Sequence, residues 1–258
     1  MTFRTRDVSG GPFDTTENLR RVSDEPGKVE TIKARINNPA ATREAIIVTL
    51  RRSGIAFQER SQWKAKAEDP ARSDGPDWDY TCLVLHHAGN SYSCNADDLD
   101  QLRRVEATDM TKFGYMSYHY AISCTGTIYE ARDIRFKGSH VSKGNTGRIG
   151  IVLLNDFSDP GEAYEEEYKE KSRLERLKNA PELVRDRVDA GANPPPPVQV
   201  RSLAQLVYTL KSYFPIRMLG GHREFQRLAN HEGRACPGRL GMAVVDALRA
   251  EFRLEAPQ

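Results

Sequence analysis

Residues 81–87 read TCLVLHH, a short apolar run closed by two histidines. A run of that length, rich in branched side chains and too short for a globular helix, predicts a strand buried on both faces. Side chains alternate along a strand, so His86 and His87 point to opposite faces. Downstream, Leu99, Leu102 and Val105 share one face of a helix predicted over residues 95–108. YHYAI (118–122) is a second strand, CTGTIYEARD (124–133) turns through Gly126 into a third, and RIGIVLL (148–154) is another strand buried on both faces. Helical spacing returns in 201–214, with Leu203, Leu206, Val207, Leu210 and Phe214, and in 240–252, with Leu240, Val244, Leu248 and Phe252. Strands interleaved with helices predict an α/β domain built on a central mixed β-sheet flanked by helices.

Upstream of that strand the chain changes character. Asn38 suits an N-cap, Pro39 a first helical position and Gly54 a helix end, with Ile46, Ile47 and Leu50 on one face between them. Residues 1–35 are polar without a sustained period and are expected to form a loosely ordered arm. Residues 58–79 carry two prolines among polar side chains and are expected to act as a linker. The predicted division is therefore 1–76 as an N-terminal extension with one short helix, and 77–254 as the chemical domain. Within the latter, about 160–198 is a charged insertion. Glu165 and Lys169, and Glu167 and Lys171, are spaced as helical ion pairs in a solvated helix over 162–190 broken at Pro181, and NPPPP (193–197) is an extended connector.

The 258 residues include 38 Lys and Arg against 36 Asp and Glu, a formal charge of +2 that argues against a nucleic-acid surface. The first twenty residues hold no apolar run of signal-peptide length, and no stretch approaches the roughly 20 apolar residues of a membrane span. Synthesis as a soluble cytoplasmic product is expected. The four cysteines, at 82, 94, 124 and 236, are too few for a disulfide scaffold and form no CxxC pair. Cys82 and Cys124 are expected to be buried thiols, and Cys94 has no evident partner.

A hydrolytic zinc site takes three His, Cys or carboxylate ligands and leaves a fourth position open for water. His86 ends a strand, His222 follows the apolar segment IRML in LGGHREF, and Cys236 sits in GRACPG, where Pro237 and Gly238 turn the chain. Taken alone, these residue types and positions allow zinc without requiring it, since a lone buried Cys is usually an inert small hydrophobe.

HHAGN (86–90), SYHYAISCTGTIYEARD (117–133), GSHVSKGNTGRIGIVLLN (138–155), GGHRE (220–224) and RACPG (234–238) occur in the order found in the N-acetylmuramoylalanine amidase family. The chain resembles that family, which includes phage lysozyme-type amidases and peptidoglycan recognition proteins, over about its last two thirds. The resemblance implies a Zn2+ site of His86, His222 and Cys236. Tyr118 matches the tyrosine that catalytic members place beside the metal's open position. Arg234 falls where many members carry a lysine, and its charge would hold a developing oxyanion. Some relatives use a glutamate at the position of Val152, so the Tyr118 version of the site is implied here. His140 and Asn145 match the part of the family that lines the substrate groove, with His140 the candidate for a hydrogen bond to the peptide.

One departure is the longer connection between His222 and Cys236, residues 223–235, expected to add a helical turn over the cleft. It carries His231, the alternative second ligand, although the GHRE context belongs to His222. The implied activity is hydrolysis of the amide between N-acetylmuramic acid and L-alanine of peptidoglycan. A non-catalytic receptor of the same fold and a zinc endopeptidase acting within the stem peptide are the rivals. Receptors of this kind typically lack the metal-binding cysteine. The implied place of action is the bacterial cell wall, in one of three settings: wall recycling, phage lysis, or delivery into a target cell as a type VI secretion effector. The compact extension resembles the last, which would add an immunity protein as a partner.

Overall fold

A computed structural model describes residues 15–22, 29–36, 38–89, 92–169, 171–181, 184 and 194–258. The strands are β1 (Thr15–Val22), β2 (Val29–Ile36), β3 (Phe57–Gln58), β4 (Cys82–His87), β5 (Tyr120–Ile122), β6 (Ile128–Glu130), β7 (Arg148–Leu153) and β8 (Met218–Gly221). The helices are α1 (Pro39–Arg52), α2 (Asp98–Lys112), α3 (Arg173–Lys178), α4 (Pro197–Tyr213), α5 (His222–Asn230) and α6 (Arg239–Phe252). Six strands form one sheet in the order β3-β6-β5-β7-β4-β8. Only β5 and β6 run antiparallel within it, as a hairpin through Gly126, so the sheet is mixed as expected. No helix among the described residues is long and apolar enough to cross a membrane.

The central strands are covered on both faces, which is why they lack polar alternation. Leu83 and Leu85 of β4, with Ile149, Ile151 and Leu153 of β7, join the larger core with residues of α1, α4 and α6. On the other face, Ala121 and Val152 pack with Leu102 and Val105 of α2 and with Trp63. His86 follows Cys82 and Val84 onto this second face.

Residues 38–79, before the main strands, pack on the domain, while most of the arm expected over 1–35 lies outside the described residues. Asn38 caps α1 by accepting from the Ala41 amide at 3.1 Å, and Ile46, Ile47 and Leu50 are buried in the larger core. Burial of such side chains contributes roughly 1.5–3 kcal/mol each. Thr49 and Tyr213 tie α1 to α4 through a 2.8 Å hydroxyl contact. The stretch 58–79, expected as a linker, lies against the domain: Trp63 is buried and its indole N–H donates to the Glu130 carbonyl at 2.9 Å. A large aromatic with a satisfied N–H, together with polar ties such as the Lys66 amide to Glu106 at 2.6 Å, holds a polar segment in place, which composition does not reveal.

Four further differences have identifiable causes. β1 and β2 pair antiparallel across residues expected to have no regular structure; their Thr, Val and Ile content favours extended backbone even without alternation. Helix α2 starts at Asp98 because Asp97 accepts from the Leu99 and Asp100 amides at 2.9 and 3.0 Å. The charged insertion is not one helix: a π-helical turn at Tyr164–Tyr168 precedes α3, which Ser172 and Glu175 open with a capping box. The break expected at Pro181 adjoins positions outside the described residues. Finally, Cys94 and Cys124 form a disulfide, with Cα atoms 5.3 Å apart, while Cys82 stays a buried free thiol. The loop before α2 folds over the end of β5, a proximity that a sequence separation of 30 does not advertise.

Candidate metal centre

Parallel pairing of β4 with β8 sets Leu85 opposite Gly221. One residue further, His86 ends β4 and His222 opens α5, so the sheet register alone brings the two imidazoles side by side, with ring centroids 4.6 Å apart. Gly221 is required at this junction, because a Cβ there would stand 2.7 Å from the ring of Pro237 and 2.4 Å from Met242. Cys236 returns to the same place after α5: the Arg223 amide donates to the Cys236 carbonyl at 2.9 Å. The Arg223 guanidinium also bonds the Ala235 carbonyl.

His86, His222 and Cys236 offer ligand atoms that all lie within 4.8 Å of one another. Nδ1 of His86 is 3.6 Å from Sγ of Cys236. Tetrahedral zinc with ordinary bond lengths separates a nitrogen and a sulfur ligand by about 3.5 Å. The residues therefore fit zinc in both donor type and spacing. His222 donates its Nε2 proton to Oε1 of the buried Gln226 at 3.1 Å, which leaves Nδ1 for the centre. Burial holds both imidazoles neutral: His86 is lowered well below its usual range and His222 to about 4. Burial also pushes the Cys236 thiol up to about 12, so it must release a proton to become a ligand.

Tyr118 lies edge-on to His86, with centroids 4.9 Å apart. Burial, then Asp109 and Cys236, raise its phenol well above the usual value, so the hydroxyl keeps its proton at neutral pH. His231 caps the far end of α5 in a left-handed conformation and is exposed, away from the cluster. His87 takes the other strand face, with Nδ1 3.1 Å from Asp156.

A cleft of about 400 Å³ reaches the centre through His222, and is lined also by Lys112, Phe113, His140, Asn145 and Arg234. Arg234 does not face it as a free cation, being paired with Glu232 at 3.2 Å and Glu167 at 3.5 Å. Asn145 spends its side-chain carbonyl on the His140 and Val141 amides at 2.9 and 2.8 Å, which closes the GSHVSKGN loop. His140 is buried with both ring nitrogens against protein partners, so neither is left for the expected bond to a peptide.

Sequence reading missed a layer of support. Glu162, Glu166 and Glu167 of the charged insertion, expected to be solvated, grip the Cys236 loop. Glu162 pairs with Arg223 and accepts from the Arg239 amide, and Glu167 accepts from the Ala235 amide at 2.8 Å. Gly233 admits this contact, since a Cβ there would stand 1.8 Å from the Glu166 carbonyl oxygen. The spacing of 162 and 166 by one helical turn was the available signal, but their partners lie over sixty residues away in sequence.

Comparison with known proteins follows the same lines. A Drosophila simulans peptidoglycan-recognition protein SC2 is 29% identical over 108 residues, a match covering 41% of this chain and 58% of that relative's length. Among solved structures, Drosophila peptidoglycan recognition protein SD superimposes with a TM-score of 0.53 at 19% identity, covering 74% of this chain and 94% of the other. Peptidoglycan recognition protein LE in complex with tracheal cytotoxin, a monomeric diaminopimelic acid-type peptidoglycan, does so with a TM-score of 0.54 at 16% identity, covering 78% and 96%. These structural likenesses carry the fold. Residues 76–239, well over half of the chain and spanning every proposed ligand, match the family profile described as N-acetylmuramoyl-L-alanine amidase, and the protein belongs to that family.

Proposed function

We propose that the protein is a zinc-dependent hydrolase that cleaves the amide between N-acetylmuramic acid and the L-alanine of peptidoglycan. The observation that carries this reading is the convergence of His86, His222 and Cys236 within 4.8 Å, with His222 lining an adjoining cleft. Zinc held there would supply a nucleophile near neutral pH and polarise the scissile carbonyl. The Tyr118 hydroxyl, protonated beside His86, would donate to charge developing on that carbonyl or pass a proton to the leaving nitrogen. Arg234 contributes positive potential at the cleft, tempered by Glu167 and Glu232. Retention of Cys236 together with His86, His222 and Tyr118 favours a metal-loaded enzyme over a receptor, since receptors of this kind typically lack the metal-binding cysteine.

The substrate class rests on the family and on the peptidoglycan fragment named for the recognition protein LE structure. Digestion of purified peptidoglycan followed by mass spectrometry tests it. Free, full-length stem peptides are expected. Shortened stems identify an endopeptidase instead, and undigested wall with bound protein identifies a receptor.

For setting, we favour action outside the cytosol on the wall of a target bacterium, as an antibacterial effector opposed by an immunity protein. The Cys94–Cys124 disulfide supports an oxidising place of action. Expression directed to the periplasm of a susceptible bacterium is expected to lyse it, whereas cytoplasmic expression is not. Equal toxicity from both compartments would overturn this setting.

A further inference from the structure

We propose that His140 is a positioning residue that holds His86 in the tautomer and ring orientation presenting Nδ1 to the metal. The inference rests on the metal centre proposed above. Nδ1 of His140 lies 3.1 Å from Nε2 of His86, and Nε2 of His140 lies 3.4 Å from the Arg148 carbonyl oxygen. A carbonyl only accepts, so Nε2 of His140 carries a proton. The ring is buried, and its two nitrogens face an imidazole and a backbone carbonyl rather than a carboxylate, so it carries a single proton and its Nδ1 has a bare lone pair. The proton shared with His86 must then come from Nε2 of His86. A neutral His86 protonated at Nε2 has a bare Nδ1, the atom that faces Cys236 Sγ at 3.6 Å. The Arg148 carbonyl thus sets the proton position on His140, and His140 sets it on His86.

The seat of the His140 ring leaves little room for another arrangement. A Cβ at Gly150 would stand 2.5 Å from Cδ2 of His140, and one at Gly138 would stand 2.8 Å from the same atom. The Cδ2 edge of the ring therefore packs on the bare backbone of both glycines. Asn145 fixes the backbone on which it stands, accepting from the His140 amide at 2.9 Å. Partners of this kind usually orient a ligating histidine, and their loss typically weakens metal binding by 10- to 100-fold. His222 has its own such partner in Gln226, so both histidine ligands are held through Nε2.

The test uses a matched pair, H140N and H140L, on the full chain. Asparagine keeps an oxygen acceptor near the place of Nδ1, and leucine has nearly the same shape without one. Long-range proton–nitrogen NMR of the metal-free wild type is expected to find His86 protonated at Nε2, and H140L to lose that preference. Zinc affinity, read by competition with a chromogenic chelator, is expected to fall roughly 10- to 100-fold in H140L and far less in H140N. Equal losses in the two variants, or no loss in H140L, overturn the proposal, as does His86 protonated at Nδ1 in the wild type. Failure of the function reading is separable. A wild type that binds no zinc overturns the metal centre, whereas zinc binding with a wrongly protonated His86 overturns only the role given to His140.

Discussion

His86 Nδ1 stands 3.6 Å from Cys236 Sγ although the residues are 150 positions apart. That pair and His222 predict about one zinc per chain, with activity abolished by chelation and restored by zinc. His86→Ala, His222→Ala and Cys236→Ala should each strip the metal, and His231→Ala should keep it. Elemental analysis of purified variants checks this, and loss of zinc from His231→Ala alone would reverse the ligand assignment. Because the metal-free thiol sits at about 12, each zinc bound releases its proton. Affinity should therefore rise with pH through the neutral range, by up to about tenfold per unit.

Tyr118 touches His86 without belonging to the ligand cluster. Tyr118→Phe removes one hydroxyl and keeps the ring, so zinc content should be unchanged while turnover of peptidoglycan falls by roughly 100-fold or more, with little change in substrate affinity. A variant with normal zinc and near-normal turnover would remove the hydroxyl from the reaction.

His119 is buried, accepts from the Gly150 amide through Nδ1 at 3.0 Å and is lowered to about 4. The unfolded chain takes up a proton at the ordinary histidine value of about 6.5, earlier than the folded one, so stability is full above that pH and declines as pH falls toward about 4. That displacement is worth about 3 kcal/mol. His119→Asn keeps an acceptor for the amide but does not titrate. Urea unfolding at about pH 7.5 and about pH 4 should show the wild type losing more stability than the variant; equal losses would exclude His119 as a cause.

The disulfide closes a loop of sequence separation 30. Chain-entropy arguments give a stabilisation of about 3–4 kcal/mol for such a loop, so Cys94→Ser with Cys124→Ser should unfold at markedly lower urea. Zinc content should survive, since neither residue is a ligand. An unchanged midpoint would mean that the bridge constrains nothing in the unfolded chain.

The sequence by itself determined the sheet and its helices, because TCLVLHH and RIGIVLL are too apolar and too short for anything but buried strands, and because α4 and α6 carry an unbroken helical period. The candidate ligands were legible only through the resemblance of HHAGN, GGHRE and RACPG to the amidase family, since residue type and position alone allowed zinc without requiring it. Tertiary structure alone decided which atoms meet. The register of β4 on β8 puts His86 beside His222, and the return of the chain after α5 adds Cys236. Local spacing could not foresee the Cys94–Cys124 bond, the clasp of Glu162 and Glu167 on the Cys236 loop, or the burial of Trp63 against β6. Each joins residues far apart in sequence, and such contacts form only when the packed sheet brings their backbones together. His140 is the sharpest case: its motif pointed to a groove, but the bare backbone of Gly138 and Gly150 lets its ring sink until both nitrogens are occupied.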